Sequence, residues 1–473
     1  MIVIKFGGTS VGTGERIANA ARLAGQVTTE RGTPPVVVVS AMAGVTTALR
    51  DAATRAATGD AQTFVRTRSE LELRHLEAIA TCVPDVDLAR SLRAEVQLLL
   101  DGFEHLCQSI HTLGELTERG MDAVSGTGER LSARLLAAGM RSQGYAAQMI
   151  EATEIIVTDA SYGSATPLLD ETQERARARL LPLIEQGITP VVTGFVGATL
   201  DGVMTTLGRG SGDFSATILG RCLGAEEVWI WTDVDGVMTA DPRIVPEAQT
   251  LPGISYQEVA ELSYFGAKVL HPLTIQPVAE MNIPVRVLNS FHPDHPGTLI
   301  TTEPVVEPVV KGITAIRDLS IVTVEGRGMQ GVPGVAGRVF TAVAGCGASI
   351  LMITQSSSEQ SICFLIRQED TTAVVAYVEE ELALEMMRGD IDGVSRQDGV
   401  SIVAVVGAGM RGKPGIAARV FGALAHEKVN IIAIAQGSSE CNMSLVLGNG
   451  DVDRAVRAIH RQFSLQEIQG VEE

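Results

Sequence analysis

The sequence predicts an α/β protein in which a mainly parallel sheet domain, with a helical insertion, precedes two small α+β units. Three observations support this prediction: apolar runs alternate with helical segments up to about residue 300, long helical patterns without strands begin near residue 61, and the last third contains an internal repeat. The length agrees, since 473 residues at roughly 150 per domain suggest about three domains.

Strands are predicted where apolar runs end in turns. The N-terminus has the apolar run IVIKF, a Gly-rich turn, a helical pattern over ERIANAARLAGQV and the apolar run PVVVVSAM, and further strand signals occur at EIIVTD, TPVVTGF, EVWIWTDV and IPVRVLN. Buried strands that alternate with helices are typical of a parallel sheet covered on both faces. A three-layer α/β/α arrangement is therefore expected over residues 1–300.

The helical insertion is predicted at about residues 60–125, where patterns such as SELELRHLEAIATC and DLARSLRAEVQLLLDGFEHLCQSI have no strand between them. The Pro- and Gly-rich stretch HPDHPGTLITTEPVVEPVVKG is the predicted domain boundary, with an edge strand in GTLIT.

The internal repeat aligns residues 331–366 with 412–447 at an offset of 81, and 15 of the 36 positions are identical. It predicts units at 313–390 and 395–473. Each unit contains GxGxxG after a strand, which by itself resembles a dinucleotide fingerprint. That fingerprint also requires an acidic residue about 20 positions on, at the end of the next strand. Here those strands end in Gln355 and Gln436, so a nucleotide site in this region is rejected.

Composition excludes several function classes. The 37 basic and 56 acidic residues give a net charge of −19, which argues against nucleic acid as a partner. The six cysteines show no CxxC and suggest a reduced, cytoplasmic chain. No apolar run reaches about 18 residues and the N-terminus is unlike a signal peptide, so no membrane association is expected. The scattered histidines suggest no resident metal site.

Four turns after apolar strands carry charge or hydroxyl groups, and we expect them to converge because ligands of open α/β sheets bind at the carboxyl ends of strands. In the first, Lys5 ends a strand, and Gly7 and Gly8 leave backbone N–H groups free to approach a phosphate. In the second, the hydroxyls of Ser40 and Thr46 are candidates to bind a substrate carboxylate, although a helix N-cap also explains them.

The third turn contains Arg209, able to hold a carboxylate bidentately, and Asp213, which is alternatively a helix cap. The fourth, TDVDGVMTADPR, carries Asp and Thr groups suited to a nucleoside or Mg²⁺. It lacks the spacing and the terminal Glu of a Ca²⁺ loop. Glu129 begins a helix and can pair with a cation. Lys268 is either functional or an ordinary surface lysine, in a chain with only five lysines.

Taken together, KFGGTSV, SAMAGVT, TGERLSA, TTLGRG, WTDVDGVMTADPR and YFGAKVLHP resemble the aspartate kinases of the amino-acid kinase family. The resemblance covers essentially the whole chain, as a kinase domain followed by two ACT domains that match the repeat. Acetylglutamate and uridylate kinases share the Gly-rich start but lack this combination.

The resemblance implies an ATP-dependent phosphorylation of the β-carboxylate of L-aspartate, the first step towards lysine, threonine and methionine, with Mg²⁺ accompanying ATP. It assigns charge neutralisation to Lys5 and Lys268, and phosphate contacts to Gly7, Gly8 and Thr9. Asp213 would position either the substrate ammonium or Lys5. It assigns substrate binding to Ser40, Thr46, Glu129, Phe195, Arg209 and Ser211, and ATP binding to Thr232, Asp233, Gly236, Met238, Arg243 and Lys268. Glu129 would hold the α-ammonium of aspartate and Arg209 its α-carboxylate.

Two positions depart from the family pattern. RGSGD replaces the usual RGGSD, which moves Ser211 by one residue and puts its hydrogen bond to substrate in doubt. Met238 replaces a common aromatic residue in the ATP loop. Neither change removes a charged group. The alternatives to aspartate kinase are a kinase-inactive ACT amino-acid sensor and a related kinase with another acid substrate.

The C-terminal third most resembles the regulatory region of threonine-sensitive aspartate kinases fused to homoserine dehydrogenase. In those proteins the two Gln positions that Gln355 and Gln436 match sense threonine, so threonine is the favoured effector and lysine the alternative. Interface residues would also explain both glutamines. The chain ends at Glu473, so a dehydrogenase domain is not expected. A homodimer or larger homo-oligomer through the ACT domains is expected.

Overall fold

The computed structural model describes residues 1–208, 210–267, 270, 272–303, 307–326, 334–355 and 360–467. Two units are distinguished by their internal contacts. The first contains Met1–Val237 and Leu270–Thr302, and the second contains Met238–Val269 and Glu303–Glu473.

Strands and helices are numbered in chain order. The strands are β1 (Ile2–Phe6), β2 (Val36–Val39), β3 (Ala147–Ile150), β4 (Thr189–Thr193), β5 (Val196–Ala198), β6 (Met204–Thr206), β7 (Glu227–Thr232), β8 (Gly253–Ser255), β9 (Val285–Asn289), β10 (Thr298–Thr301), β11 (Gly312–Glu325), β12 (Met352–Gln355), β13 (Ser361–Arg367), β14 (Gly393–Val406), β15 (Ala433–Gln436) and β16 (Asn442–Gly448). The helices are α1 (Gly14–Arg31), α2 (Val45–Ala57), α3 (Ala61–Cys82), α4 (Val86–Leu113), α5 (Glu118–Ser125), α6 (Thr127–Ser142), α7 (Leu169–Glu185), α8 (Ser211–Leu223), α9 (Tyr256–Tyr264), α10 (Pro272–Ala279), α11 (Val335–Gly345), α12 (Thr371–Glu381), α13 (Ala383–Arg388), α14 (Ile416–His426) and α15 (Val452–Gln462).

The first unit is built on a sheet with the strand order β3-β4-β2-β1-β7-β9-β10. All neighbours are parallel except β10, which runs antiparallel to β9 as the edge strand expected in GTLIT. Residues alternate between the two faces of β1. Ile2, Ile4 and Phe6 pack into a core with α1, α3, α4 and α6, while α8, beside α7 and α10, covers the opposite face. The predicted three-layer α/β/α class is confirmed.

One predicted strand is wrong. EIIVTD begins at the last residue of a short 3-10 turn (Ala152–Glu154) and forms two isolated bridges, from Val157 to Ala198 and from Thr158 to Pro167. The strand beside β4 is β3, just before this segment. Ile155 and Ile156 are fully buried, and the Ala152 N–H donates to the Thr193 hydroxyl at 2.8 Å. Hydrophobicity alone does not distinguish such a buried connection from a strand.

In the second unit the two repeats share one antiparallel sheet with the order β12-β13-β11-β14-β16-β15. The long strands β11 and β14 pair along their whole lengths, from Gly312 opposite Val406 to Glu325 opposite Gly393. Each long strand also serves two cores. Ile313 packs with the second repeat, whereas Val324 packs with the first. The predicted pair of α+β units is thus confirmed as a fold class, with a continuous sheet between them.

The first glycine of each GxGxxG has a packing role. A Cβ on Gly326 would lie 2.4 Å from the carbonyl oxygen of Asp390, and one on Gly407 would lie 2.3 Å from that of Val309. Another backbone segment passes too closely at both places for any side chain. The remainder of the first motif, residues 327–331, lies outside the described residues.

Candidate active site

The turns after β1, β2, β4 and β7 meet at one edge of the parallel sheet, where the carboxyl ends of these neighbouring strands lie. Of the four predicted turns, the third follows β6, which pairs with β5 outside this sheet. Backbone hydrogen bonds hold the turns against each other. They run from the Gly7 N–H to Trp231 O (3.1 Å), from Ser40 N–H to Phe6 O (3.1 Å), from Ala43 N–H to Gly8 O (3.1 Å) and from Gly194 N–H to Val39 O (2.9 Å). This edge therefore presents four loops at fixed spacing.

A cleft of about 540 Å³ opens at this edge. Four side chains predicted to bind substrate line it: Ser40, Thr46, Glu129 and Phe195. The other lining residues are Arg50, Gly163, Gly208, Gly210 and Gly212. The sequence analysis did not single out Arg50 or Gly163.

Lys5 is buried next to this cleft and pairs with Asp213. The alternation along β1 directs Lys5 towards α8, where its Nζ lies 2.7 Å from Oδ1 of Asp213 in the first helical turn. A Cβ on Gly212 would lie 3.1 Å from Lys5 Cε and 2.5 Å from the Ser40 hydroxyl oxygen. A glycine before Asp213 therefore leaves room for both side chains.

Glu129 contributes a buried carboxylate from the first turn of α6. Its Oε1 accepts a hydrogen bond from the Ala41 N–H at 3.2 Å, while Oε2 has no hydrogen-bond partner among the described residues. Burial raises the pKa of Glu129 to about 7, and the hydrogen bond from Ala41 offsets part of that rise. A buried carboxylate with a free oxygen on a cleft is suited to receive a cationic group.

The chain was compared with known proteins. A model described as the amino acid kinase family matches residues 1–289, which is more than half of the chain. The chain belongs to the amino acid kinase family. A model of the ACT domain matches residues 322–382 and 403–463.

Within the amino acid kinase family the chain is homologous to aspartokinases, as its motifs predicted. Aspartokinase 3 of Arabidopsis thaliana (chloroplastic) is 34% identical, over 98% of this chain and 81% of that protein. Bifunctional aspartokinase/homoserine dehydrogenase 1 of Zea mays (chloroplastic) is 38% identical, over 98% of this chain and 50% of that protein. The chain thus spans about half the length of the bifunctional relatives that it matches.

Solved structures of E. coli aspartokinase III resemble the chain throughout. The complex with aspartate and ADP (R-state) has a TM-score of 0.80 and 28% identity, over 98% of this chain and 99% of that one. The complex with lysine and aspartate (T-state) has a TM-score of 0.77 at the same identity and coverage.

Phe195 has a strained backbone in this amino acid kinase. Its φ of 70° lies in the left-handed region, which bulky residues rarely adopt. The strain is held by two hydrogen bonds, since the Phe195 N–H donates to the Ser215 hydroxyl at 3.0 Å and its carbonyl accepts from the Leu207 N–H at 3.0 Å. Such strain often occurs at functional sites.

Asp122 organises the wall of the cleft, and the sequence analysis missed it. It is fully buried in the middle of α5. Its carboxylate accepts hydrogen bonds from the Gly163 N–H (2.9 Å), the Thr206 N–H (3.0 Å) and the Thr206 hydroxyl (2.6 Å). Asp122 thereby holds the loop that carries Gly163 against β6, which leads into Gly208.

The other predicted residues lie in several places. Thr9 follows Gly7 and Gly8 in the turn after β1. Thr232 ends β7, and Asp233 and Gly236 belong to the turn that follows it in the first unit. Met238 and Arg243 belong to the second unit, where Arg243 is exposed and pairs with Asp241 at 2.6 Å. Arg209, Lys268 and the side chain of Ser211 lie outside the described residues, so the structure does not locate them.

Gln355 and Gln436 end the edge strands β12 and β15 and are both exposed. Within the described ranges, no group of three or more His, Cys, Asp or Glu side chains is arranged to hold a metal ion. The part of the chain that the structure describes also has no helix long and apolar enough to span a bilayer.

Proposed function

We propose that this chain is an aspartate kinase that transfers the γ-phosphoryl group of ATP to the β-carboxylate of L-aspartate, giving ADP and 4-phospho-L-aspartate. The observation that carries the proposal is the unpartnered, buried oxygen of Glu129 on a cleft next to Lys5. A free acidic amino acid provides an ammonium group that can pair with Glu129 and an anionic phosphoryl acceptor that can lie next to Lys5.

The acceptor needs no general base. A side-chain carboxylate with an ordinary pKa near 3.9 is already ionised at pH 7. Catalysis then depends on positioning and on neutralising the charge of the transferred group. Lys5, oriented by Asp213, supplies one such charge at the inner end of the cleft, and Gly7, Gly8 and Thr9 supply backbone approach to the phosphates. The homology supports similar assignments for Arg209 with the α-carboxylate and Lys268 with the phosphates.

Mg²⁺ enters this scheme as part of the substrate Mg-ATP. We assign the nucleotide to Thr232, Asp233, Gly236, Met238, Arg243 and Lys268. E. coli aspartokinase III was solved with aspartate and ADP, which supports ATP as the phosphoryl donor here. We propose the domain limits 1–300, 313–390 and 395–473 and a homo-oligomer formed through the ACT domains. In metabolism the product would begin the route to lysine, threonine and methionine.

The direct test is ADP formation by the purified chain with Mg-ATP and L-aspartate, with hydroxylamine present to trap the acyl phosphate. We expect ADP formation that depends on aspartate, with an equal amount of β-aspartyl hydroxamate. ADP formation with another acid but not with aspartate would show that the chain is a kinase with a different acid substrate. No ATP consumption, together with threonine binding, would indicate a sensor instead.

Threonine is the effector that we propose, with lysine as the alternative. We expect millimolar threonine to suppress the rate, and the double variant Q355A/Q436A to lose that response while keeping its uninhibited rate. Gln397→Ala is the matched control, because Gln397 is exposed on β14 of the same sheet. Lysine is the alternative because E. coli aspartokinase III was solved with lysine. Inhibition by lysine and not by threonine would identify lysine as the effector. Unchanged inhibition in Q355A/Q436A would remove both glutamines from the effector site.

A further inference from the structure

Arg50 lines the cleft, but none of the sequence motifs assigns it a role. It lies on α2 one helical turn after Thr46, so both side chains are on the same face of that helix. Its Nη1 is 3.4 Å from the hydroxyl oxygen of Ser125, a long contact that leaves the rest of the guanidinium uncommitted. The side chain is exposed at the cleft.

The charges around Arg50 indicate an anionic ligand. Lys5 pairs with Asp213 at 2.7 Å, whereas among the described residues no carboxylate oxygen lies within 4.0 Å of the Arg50 guanidinium. Arg55, on the same helix, shows the usual alternative. It pairs with Asp51 at 3.1 Å and with Asp60 at 4.0 Å. An unpaired guanidinium beside a cleft is well suited to a carboxylate, which it can bind through two N–H groups.

The position of Arg50 along the cleft selects one carboxylate of the substrate. At the inner end, a Cβ on Gly212 would lie 3.1 Å from Lys5 Cε and 2.5 Å from the Ser40 hydroxyl oxygen. In the proposed reaction the β-carboxylate lies there, next to the Lys5 ammonium. Thr46 and Glu129 follow. Arg50 is about 6 Å farther along α2 than Thr46, which is four residues at the helical rise. It contacts Ser125, the last residue of α5, four residues before Glu129 in the sequence. If the β-carboxylate lies at the inner end and the ammonium at Glu129, the α-carboxylate is the group left to occupy the outer end of the cleft, where Arg50 lies.

We propose that Arg50 is a specificity-determining residue that binds the α-carboxylate of the amino-acid substrate, in addition to Arg209. This inference rests on the proposed aspartate kinase function. It makes Arg50 selective for acids with a free α-carboxylate, while the phosphoryl transfer itself stays with the Lys5 end.

The test compares R50Q and R50K with R55Q, the control on the exposed side of the same helix. We expect R50Q to raise KM for aspartate about tenfold, as for one charge-assisted hydrogen bond at a partly exposed site. We expect kcat and KM for ATP to change less than about twofold, and R50K to recover part of the loss. The α-amide of L-aspartate keeps the reacting β-carboxylate but not the α-carboxylate, so R50Q and the wild type should handle it equally.

Two results would overturn the inference: a KM for aspartate in R50Q equal to that in R55Q, or an equal loss with the α-amide. Calorimetric titration with L-aspartate separates this inference from the kinase assignment. Weaker aspartate binding in R50Q than in R55Q supports the role of Arg50 even in a chain that forms no ADP, and equal binding rejects it even in an active kinase. Thermal unfolding of R50Q at the wild-type temperature shows that the fold is intact.

Discussion

Replacing Lys5 by methionine is expected to lower kcat by about 100- to 1000-fold, the range seen when one preorganised electrostatic contact to a transition state is removed. Lys5 is the described cation at the inner end of the cleft, and Nζ is held by Asp213 at 2.7 Å. KM for aspartate should change much less, because Glu129 and the outer cleft remain. Steady-state rates of ADP formation at saturating Mg-ATP measure both quantities.

The K5M variant also leaves Asp213 without its partner, which costs stability on the order of 3 kcal/mol for a largely buried pair. The double variant K5M/D213N separates the two effects. It should recover most of the unfolding temperature that K5M loses, while its kcat stays as low as that of K5M. A double variant that regains both stability and activity would show that Lys5 acts only through the ion pair. Nearly normal kcat in K5M would remove Lys5 from catalysis.

Replacing Glu129 by glutamine is expected to lower kcat/KM for aspartate by about 100-fold or more while increasing stability at pH 8. The loss of activity follows from removing the carboxylate that is proposed to bind the α-ammonium, since charged hydrogen bonds in a buried site are costly to break. ATP binding should be unaffected. The control is Glu70→Gln, an exposed residue of α3 whose ion-pair partner among the described residues is Arg66.

The stability gain follows from the raised pKa of Glu129, which burial moves to about 7. At pH values between the pKa of Glu129 in the unfolded chain and about 7, the folded chain binds more protons than the unfolded chain. The contribution of Glu129 to the free energy of unfolding is therefore present at low pH and is lost as the pH rises. At pH 8 the wild type carries the full cost of a buried charge, up to about 3 kcal/mol. We expect E129Q to unfold at a higher temperature than the wild type at pH 8, and the difference to vanish near pH 4.5. An E129Q variant that is less stable at both values would contradict this.

The same group predicts the pH dependence of activity. In the proposed site the ammonium of aspartate pairs with ionised Glu129, so kcat/KM for aspartate should fall below about pH 7. In the bound complex the ammonium stabilises the carboxylate, so kcat should hold to lower pH. A kcat/KM profile that is flat down to pH 5 would mean that Glu129 does not bind the ammonium.

The sheet edge that carries the candidate site could be predicted because its signals lie within short segments of the sequence. Lys5, Ser40 and Thr232 each follow or end an apolar run, and the ends of parallel strands must meet. The spacing of four between Thr46 and Arg50 is the helical signal that points to Arg50, but without the cleft nothing distinguishes it from Arg55. Asp122 gave no such signal, because its partners at Gly163 and Thr206 are 41 and 84 residues away.

Long-range packing also explains what was missed in the fold. The repeat predicted two units, but only the pairing of β11 with β14 shows that they share one sheet. Likewise, the segment that carries Met238 and Arg243 was assigned with the preceding strand. In the structure Ala240 and Val245 pack into the core of the second repeat, a contact between distant parts of the sequence.

The measurement that most directly tests the binding of aspartate at Glu129 is calorimetric titration of the chain with L-aspartate at pH 6, in two buffers of different ionisation enthalpy. With its pKa at about 7, Glu129 is mostly protonated at that pH and must lose its proton to pair with the ammonium. We predict the release of close to one proton per aspartate bound, roughly 0.9, and none in E129Q. Binding without proton release, or the same release from E129Q, would contradict the account.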